Sequence, residues 1–301
     1  MKARLLVAFA LVYVVWGSTY LGIRIAIETI PPFLMAGIRF TIAGSILMIW
    51  SRSRGNALPS RAEWKVAGVI GVLLMLLGNG GVVWAEQTVP SSLAALIVAS
   101  SPIVTVAIDW LRPGGPRPSN LTIAGLLIGF AGVAILVNPF ATDVARVDPK
   151  GAAAVLVAVL AWSAGSIYSR SRPYSTSALM GAAANMVTGG LMFLVVGLAT
   201  GELPRLDLHA TSARSAIALL YLIFVGALVG FTAFFYILQH TTPAKSTTYA
   251  YVNPVVAIIL GWAVLDEPIT PRVLLAAAII ISGVVTITAL PHLLKRSTVD
   301  S

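Results

Sequence analysis

LLVAFALVYVVWGSTYLGIRIAI, residues 5–27, decides the fold. Its one charge is Arg24. An α-helix rises 1.5 Å per residue, so about 20 largely apolar residues cross a hydrocarbon core of roughly 30 Å. The basic start, Met1-Lys2-Ala3-Arg4, gives the stretch the look of a secretory signal. The apolar run is too long for that, and no small-x-small cleavage site with a soluble domain follows it. We read it as an uncleaved first membrane helix.

The same pattern recurs. Ten candidate spans lie at 5–27, 32–50, 64–85, 91–111, 121–137, 151–170, 177–199, 215–239, 246–265 and 271–290. Proline, glycine or charge marks the breaks, as at Pro31-Pro32, in the stretch 113–118 and at Asp266-Glu267-Pro268. Composition agrees. Of the 301 residues 58% are hydrophobic and 10% charged, and mean hydropathy is +0.91. A soluble chain needs far more charge to cover its surface. The fold expected is an all-α integral membrane protein of ten helices.

The formal charge of +9 sits at the ends of apolar runs, without a basic stripe interleaved with aromatics. That pattern fits membrane orientation and argues against nucleic acid as a partner. With a cytoplasmic N-terminus, the cytoplasmic segments hold Lys2, Arg4, Arg52, Arg54, Arg61, Lys65, Arg112, Arg117, Arg170, Arg172, Lys245, Lys295 and Arg296. The other side holds Arg146, Lys150, Arg205, Arg214 and Arg272. Both termini are therefore expected in the cytoplasm of a bacterium whose inner membrane the chain spans. The absence of cysteine excludes disulfides and thiolate metal sites.

The chain repeats itself. Trp16-Gly17-Ser18-Thr19-Tyr20 corresponds to the 162–168 stretch that runs from Trp162 to Tyr168. Glu86-Gln87-Thr88-Val89-Pro90 corresponds to Gln239-His240-Thr241-Thr242-Pro243, and Ser101-Pro102 to Asn253-Pro254. Both halves close in glycine-containing helices, around Gly132 and Gly283. The first half, residues 1–140, starts inside; the second, 141–301, starts outside. The repeats are thus inverted, as in many secondary transporters, where two half-structures permit alternating access.

These motifs, with Ala36-Gly37-Ile38-Arg39-Phe40 and Tyr251-Val252-Asn253-Pro254, resemble the drug/metabolite transporter superfamily, in its EamA-type ten-helix branch. The likeness runs from about residue 5 to about residue 290. Within the branch the chain is similar to the YddG- and YedA-like bacterial exporters of amino acids and related metabolites. The resemblance implies five plus five inverted helices around a central cavity lined by helices 1, 3, 4, 6, 8 and 9. One departure is Pro113-Gly114-Gly115-Pro116, where the usual turn is acidic, as in the second half.

Counting rise per residue places Trp16, Ser18, Ser100, Ser101, Trp162, Ser163, Tyr251 and Asn253 at similar depth, with Asn79 about one turn further out. Polar groups at such depth should face protein or water. The candidate substrate-binding residues are Trp16, Ser18, Asn79, Ser101, Trp162, Ser163, Tyr251 and Asn253. Each has a bland alternative. Membrane serines often bond back to their own helix, and the tryptophans could simply pack helices. Pro102 and Pro254 are candidate hinges or static kinks. The run Gly78-Asn79-Gly80-Gly81 could be an unwound site or a packing patch, and the first is preferred. Arg39 could draw a substrate carboxylate, but a structural role is favoured because helix 2 is not an expected cavity helix. Arg24 with Glu28, and Asp109 with Arg112, read as local pairs. Glu86 reads as an interfacial charge. Gly226 and Gly230 read as helix-packing positions.

No Asp, Glu or His is expected at the midplane, which disfavours carboxylate–proton exchange of cations. A neutral or zwitterionic solute suits such a cavity better. The expectation is a secondary transporter exporting small metabolites, amino acids including aromatic ones foremost, acting as a monomer without metal or cofactor. Sugars, nucleosides and amphipathic drugs are the alternatives. A membrane enzyme is disfavoured, because no clustered acids, His-Glu-x-x-His or Ser/His/Asp set is present.

Overall fold

The computed structural model describes residues 2–85, 89, 97–137, 148–172, 174–175, 177–207, 209–265 and 270–288. At positions 2, 20, 24, 137, 257, 258 and 261–265 the description covers the backbone alone. The long elements are α1 (Lys2–Ala26), α2 (Pro32–Ser53), α3 (Arg61–Ala85), α4 (Ser101–Leu111) and α5 (Asn120–Val137). They continue with α6 (Pro149–Ser171), α7 (Ala178–Ala199), α8 (Ala213–His240), α9 (Tyr249–Leu265) and α10 (Pro271–Thr288). Among the described residues there is no strand. Among the described residues seven helices, α1–α3, α6–α8 and α10, are long and apolar enough to cross a membrane. Large apolar side chains such as Leu6, Ile49, Leu160, Val195 and Ile217 point outward. In water such a surface would be costly; in lipid it is expected.

The helix starts follow local rules. Pro32, Pro149 and Pro271 open α2, α6 and α10, where the missing N–H has no intrahelical partner to lose. Ser60 caps α3 in a reciprocal box with Glu63, and Ser177 and Ser212 cap α7 and α8. A less local cap closes α2. The buried Glu202 carboxylate, from the α7–α8 connection, accepts hydrogen bonds from Phe33 N at 3.3 Å and Leu34 N at 2.8 Å.

Helices meet through glycine. The most extensive contacts join α2 to α7 and α5 to α10. On the first seam, a Cβ at Gly37 would meet Leu194, one at Gly44 would meet the backbone of Val187, and one at Gly190 would meet Thr41. On the second, Gly129 faces Gly283 backbone to backbone, flanked by Gly125 on Ile287 and Gly132 on Ile280. Small residues let helices approach closely where no hydrophobic force separates protein from lipid. Around these seams, α1 packs on α8 and α9, and α6 packs on α3 and α4.

Three expectations change. The run 78–81 is not unwound: α3 widens to a π-helix over Gly71–Asn79 and resumes α-geometry at Gly80–Ala85. A matching π-segment spans Leu222–Val229 in α8. Pro102 stands at a break between helical segments rather than inside one continuous helix, since residues 97–98 are helical. Residues 99–100 form a turn, α4 starts at Ser101, and Pro102 is its second residue, where a proline disturbs no ladder bond. Helix α9 starts at Tyr249, not at 246, after a four-residue helix at Pro243–Ser246. Pro254 does lie inside α9. Glu86, Asp266, Glu267 and the Arg24 side chain, singled out above, lie outside the described residues.

Candidate functional site: a central cavity with unpartnered polar atoms

A cavity of about 690 Å³ opens among the helices. Trp16 and Thr19 of α1, Gly78 and Asn79 of α3, and Ser101 of α4 line it. So do Trp162 of α6, Phe231 of α8, Tyr249 and Asn253 of α9, and Arg39 of α2. The resemblance implied helices 1, 3, 4, 6, 8 and 9 as the walls; the structure adds α2. Leu21 and Ile23 of α1, Ile27 just after it, and Val82 and Val83 of α3 carry the lining toward the C-terminal ends of those helices.

Aromatic rings build the opposite end. The Trp16 indole lies 4.8–4.9 Å, centroid to centroid, from Phe231, Phe234 and Tyr249. It meets Trp162 edge to face at 5.8 Å and 76°. Such geometry suits the ring quadrupoles and adds to the apolar burial. One turn earlier on α1, the Tyr13 hydroxyl and Thr248 Oγ1 share a hydrogen bond of 2.6 Å. Rings and a hydrogen bond therefore pack together on the side of the cavity where α1 begins.

Glycine makes room for the ring. A Cβ at Gly230 would sit 2.5 Å from Trp16 Nε1, and one at Gly78 would sit 2.9 Å from the Trp162 ring. One turn before Gly230, Gly226 leaves space beside Arg39 and Thr19. Gly226 and Gly230 thus admit side chains to the cavity wall and are not simply a helix-crossing face.

The polar inventory is uneven. Trp16 Nε1, Trp162 Nε1, Asn253 Oδ1 and Arg39 Nε are buried without a hydrogen-bond partner. Asn79 is partly engaged, since its Nδ2 donates to Leu74 O at 3.2 Å. Ser101 lines the cavity, but its hydroxyl donates back to Val98 O at 2.5 Å. Leaving a buried donor or acceptor unmade costs about 1–3 kcal/mol. The four atoms belong to residues that line one cavity.

Of the residues chosen from sequence, Trp16, Asn79, Ser101, Trp162 and Asn253 come together on this cavity. Ser18, Ser163 and Tyr251 do not line it. Ser18 donates to Val15 O at 2.7 Å and meets the Tyr221 hydroxyl. Ser163 is buried with its Oγ 3.5 Å from Ser101 O, joining α6 to α4. Tyr251 turns the other way: its hydroxyl donates to Leu126 O at 3.0 Å and its ring covers Gly129 of α5. Pro102 and Pro254 shape the backbone beside the site without lining it. Thr19, Phe231 and Tyr249 were not among the sequence candidates. Their signal was helical spacing, since Thr19 follows Trp16 by three residues on the same face. Asp109 and Arg112 do pair, at 2.7 Å.

Comparison with known proteins places this architecture. The profile of the EamA-like transporter family matches residues 4–138 and again 149–289. The chain is 37% identical over 282 residues to the inner membrane transporter YedA of Escherichia coli (strain K12), covering 93% of this chain and 89% of that one. It is 25% identical over 284 residues to the transporter YvbV of Bacillus subtilis (strain 168), covering 94% and 91%. It is 24% identical over 291 residues to protein PecM of Dickeya dadantii (strain 3937), covering 95% and 92%. A solved crystal structure at 20% identity shares the fold, with a TM-score of 0.77 over 96% of this chain and 98% of that one. Two profile matches that together span nearly the whole chain, with a 37% identical relative of similar length, show that the protein belongs to the EamA-like transporter family.

Proposed function

We propose that the protein is a secondary transporter of the bacterial inner membrane that exports small metabolites, amino acids with apolar or aromatic side chains foremost. The observation that carries this reading is the cavity itself. Trp16, Trp162 and Asn253 line it beside a cage of rings, and Trp16 Nε1, Trp162 Nε1 and Asn253 Oδ1 are buried without partners among the described residues. Two indole donors, an amide acceptor and an apolar wall match a solute with both polar and apolar parts.

The transport cycle we propose is alternating access by two inverted five-helix halves. Helix packing supports it. Exchange of α1 with α6, α3 with α8 and α4 with α9 turns the α1–α8 and α1–α9 contacts into α6–α3 and α6–α4, which are also present. The α2–α7 and α5–α10 seams map onto themselves. The π-segments of α3 and α8 obey the same exchange. In this reading α4, α5 and α9 also cross the bilayer, making ten spans, and one chain encloses the path as a monomer. Lysine and arginine placement puts both termini in the cytoplasm. The ring-packed end then faces inward, and the cavity extends toward the outside.

The reading is tested by counterflow in proteoliposomes with labelled aromatic and branched amino acids. Saturable flux above that of empty vesicles is expected. Flux of sugars or nucleosides in its place would move the assignment to the family's other solutes.

A further inference from the structure

Arg39 is the charge that the proposed transport function leaves unused. Its side chain is 5% exposed and lines the cavity. Burying a guanidinium is expensive unless an anion or several acceptors compensate it. Neither is at hand. Among the described residues the buried carboxylates are Asp109 and Glu202. Asp109 pairs with Arg112, and Glu202 caps α2 through Phe33 and Leu34. Among the described residues Arg39 Nε has no acceptor; the group lies over the Phe40 ring at 4.8 Å and within electrostatic reach of the neutral Tyr221 phenol. The wall beside it is kept open: a Cβ at Gly226 would lie 3.0 Å from Arg39 Nη2.

We infer that Arg39 is an anion-binding group, and that the transported solutes carry a carboxylate which docks on its guanidinium while their apolar part lies against Trp16 and Trp162. This rests on the transport reading above and narrows its solutes. A planar guanidinium offers paired N–H donors that fit a carboxylate, and the dry site strengthens the bond. Asn253, which lines the same cavity, stands beside the polar end of that solute. The docked carboxylate supplies the anion that the fold withholds.

The test compares three probes of one shape: L-phenylalanine, L-phenylalaninamide and 3-phenylpropionate. Binding is followed by tryptophan fluorescence of the purified full chain in detergent; flux is followed separately in proteoliposomes. The two carboxylates are expected to bind at least about tenfold more tightly than the amide. Arg39→Gln should erase that preference, and Arg39→Lys should keep part of it. Should Arg39→Gln fail to fold, the wild-type comparison and Arg39→Lys decide alone. Equal binding of amide and carboxylates, or a carboxylate preference that survives Arg39→Gln, overturns the assignment even if flux is present. Carboxylate binding that depends on Arg39 but produces no flux upholds the anion site and removes the transport reading. No binding of either carboxylate overturns the anion site, whatever the flux shows.

Discussion

The indoles of Trp16 and Trp162 meet edge to face 5.8 Å apart at the head of the cavity, one from each half of the chain. Each sits against a glycine of a neighbouring helix, Gly230 for Trp16 and Gly78 for Trp162. The pair joins the two halves at the wall of the cavity. The cavity wall and the contact between the halves therefore share the same rings.

Trp16→Ala removes the ring that touches Trp162, Phe231, Phe234 and Tyr249. Transport is expected to fall by about tenfold or more, since stacking terms of about 1 kcal/mol each are lost together with ring burial. Asn253→Ala should also lower transport. Asn253→Ala should keep wild-type expression and detergent stability; Trp16→Ala should unfold earlier, since emptying a buried Trp site costs about 3–5 kcal/mol, so its transport is compared per amount of folded protein. Unchanged transport in both would remove these residues from the path.

Gly230→Ala puts a methyl 2.5 Å from Trp16 Nε1. Within a helix the exchange should by itself be favourable by roughly 1 kcal/mol. The expected result is a folded protein whose KM rises because the indole is pushed into the cavity. A variant with wild-type KM would show that the wall does not need this gap.

Gly190→Leu is expected to abolish folding, because a Cβ there lies 2.5 Å from the Thr41 backbone nitrogen on α2. Gly68→Leu is the control, since nothing lies within 4 Å of a Cβ at that position. Yield and a monodisperse elution profile read the difference. Equal yields would mean the α2–α7 seam is looser than its geometry.

Glu202→Ala leaves the Phe33 and Leu34 amides without their cap. A loss of about 1–2 kcal/mol of stability is expected. It should be read as an earlier thermal unfolding with binding affinity unchanged. No change in unfolding temperature would count against the cap.

Tyr13→Phe and Thr248→Val each break the 2.6 Å hydrogen bond beyond the aromatic cluster. The chain has no cysteine, so a single Thr19→Cys reports access to the cavity. Labelling by a membrane-impermeant maleimide from the cytoplasmic side should speed up several-fold in either variant, and no further in the double variant. Additive effects would show that the two groups do not act as one latch.

Much of this was legible before any coordinates. The spacing of apolar runs marked the helices, and rise per residue assigned depth well enough to group Trp16, Trp162, Ser101 and Asn253. Depth does not say which way a side chain points. Tyr251 lies two residues before Asn253 and turns toward α5, because successive positions on a helix differ by about 100°. Arg39 was read as structural because α2 was not expected at the cavity; its lack of a carboxylate partner became visible only when helices distant in sequence were assembled. The π-turns of α3 and α8 have no simple sequence mark beyond a glycine at their ends, Gly80 and Gly230. Glu202 as the cap of α2 is a contact across 168 residues, which no local rule supplies.

The most direct measurement is flux of labelled L-phenylalanine and L-leucine into proteoliposomes preloaded with the unlabelled amino acid, for wild type and Trp16→Ala at equal reconstitution. The account predicts saturable counterflow in wild type and a drop of about tenfold or more in Trp16→Ala. Wild-type rates equal to those of protein-free vesicles across a broad amino-acid panel would contradict it.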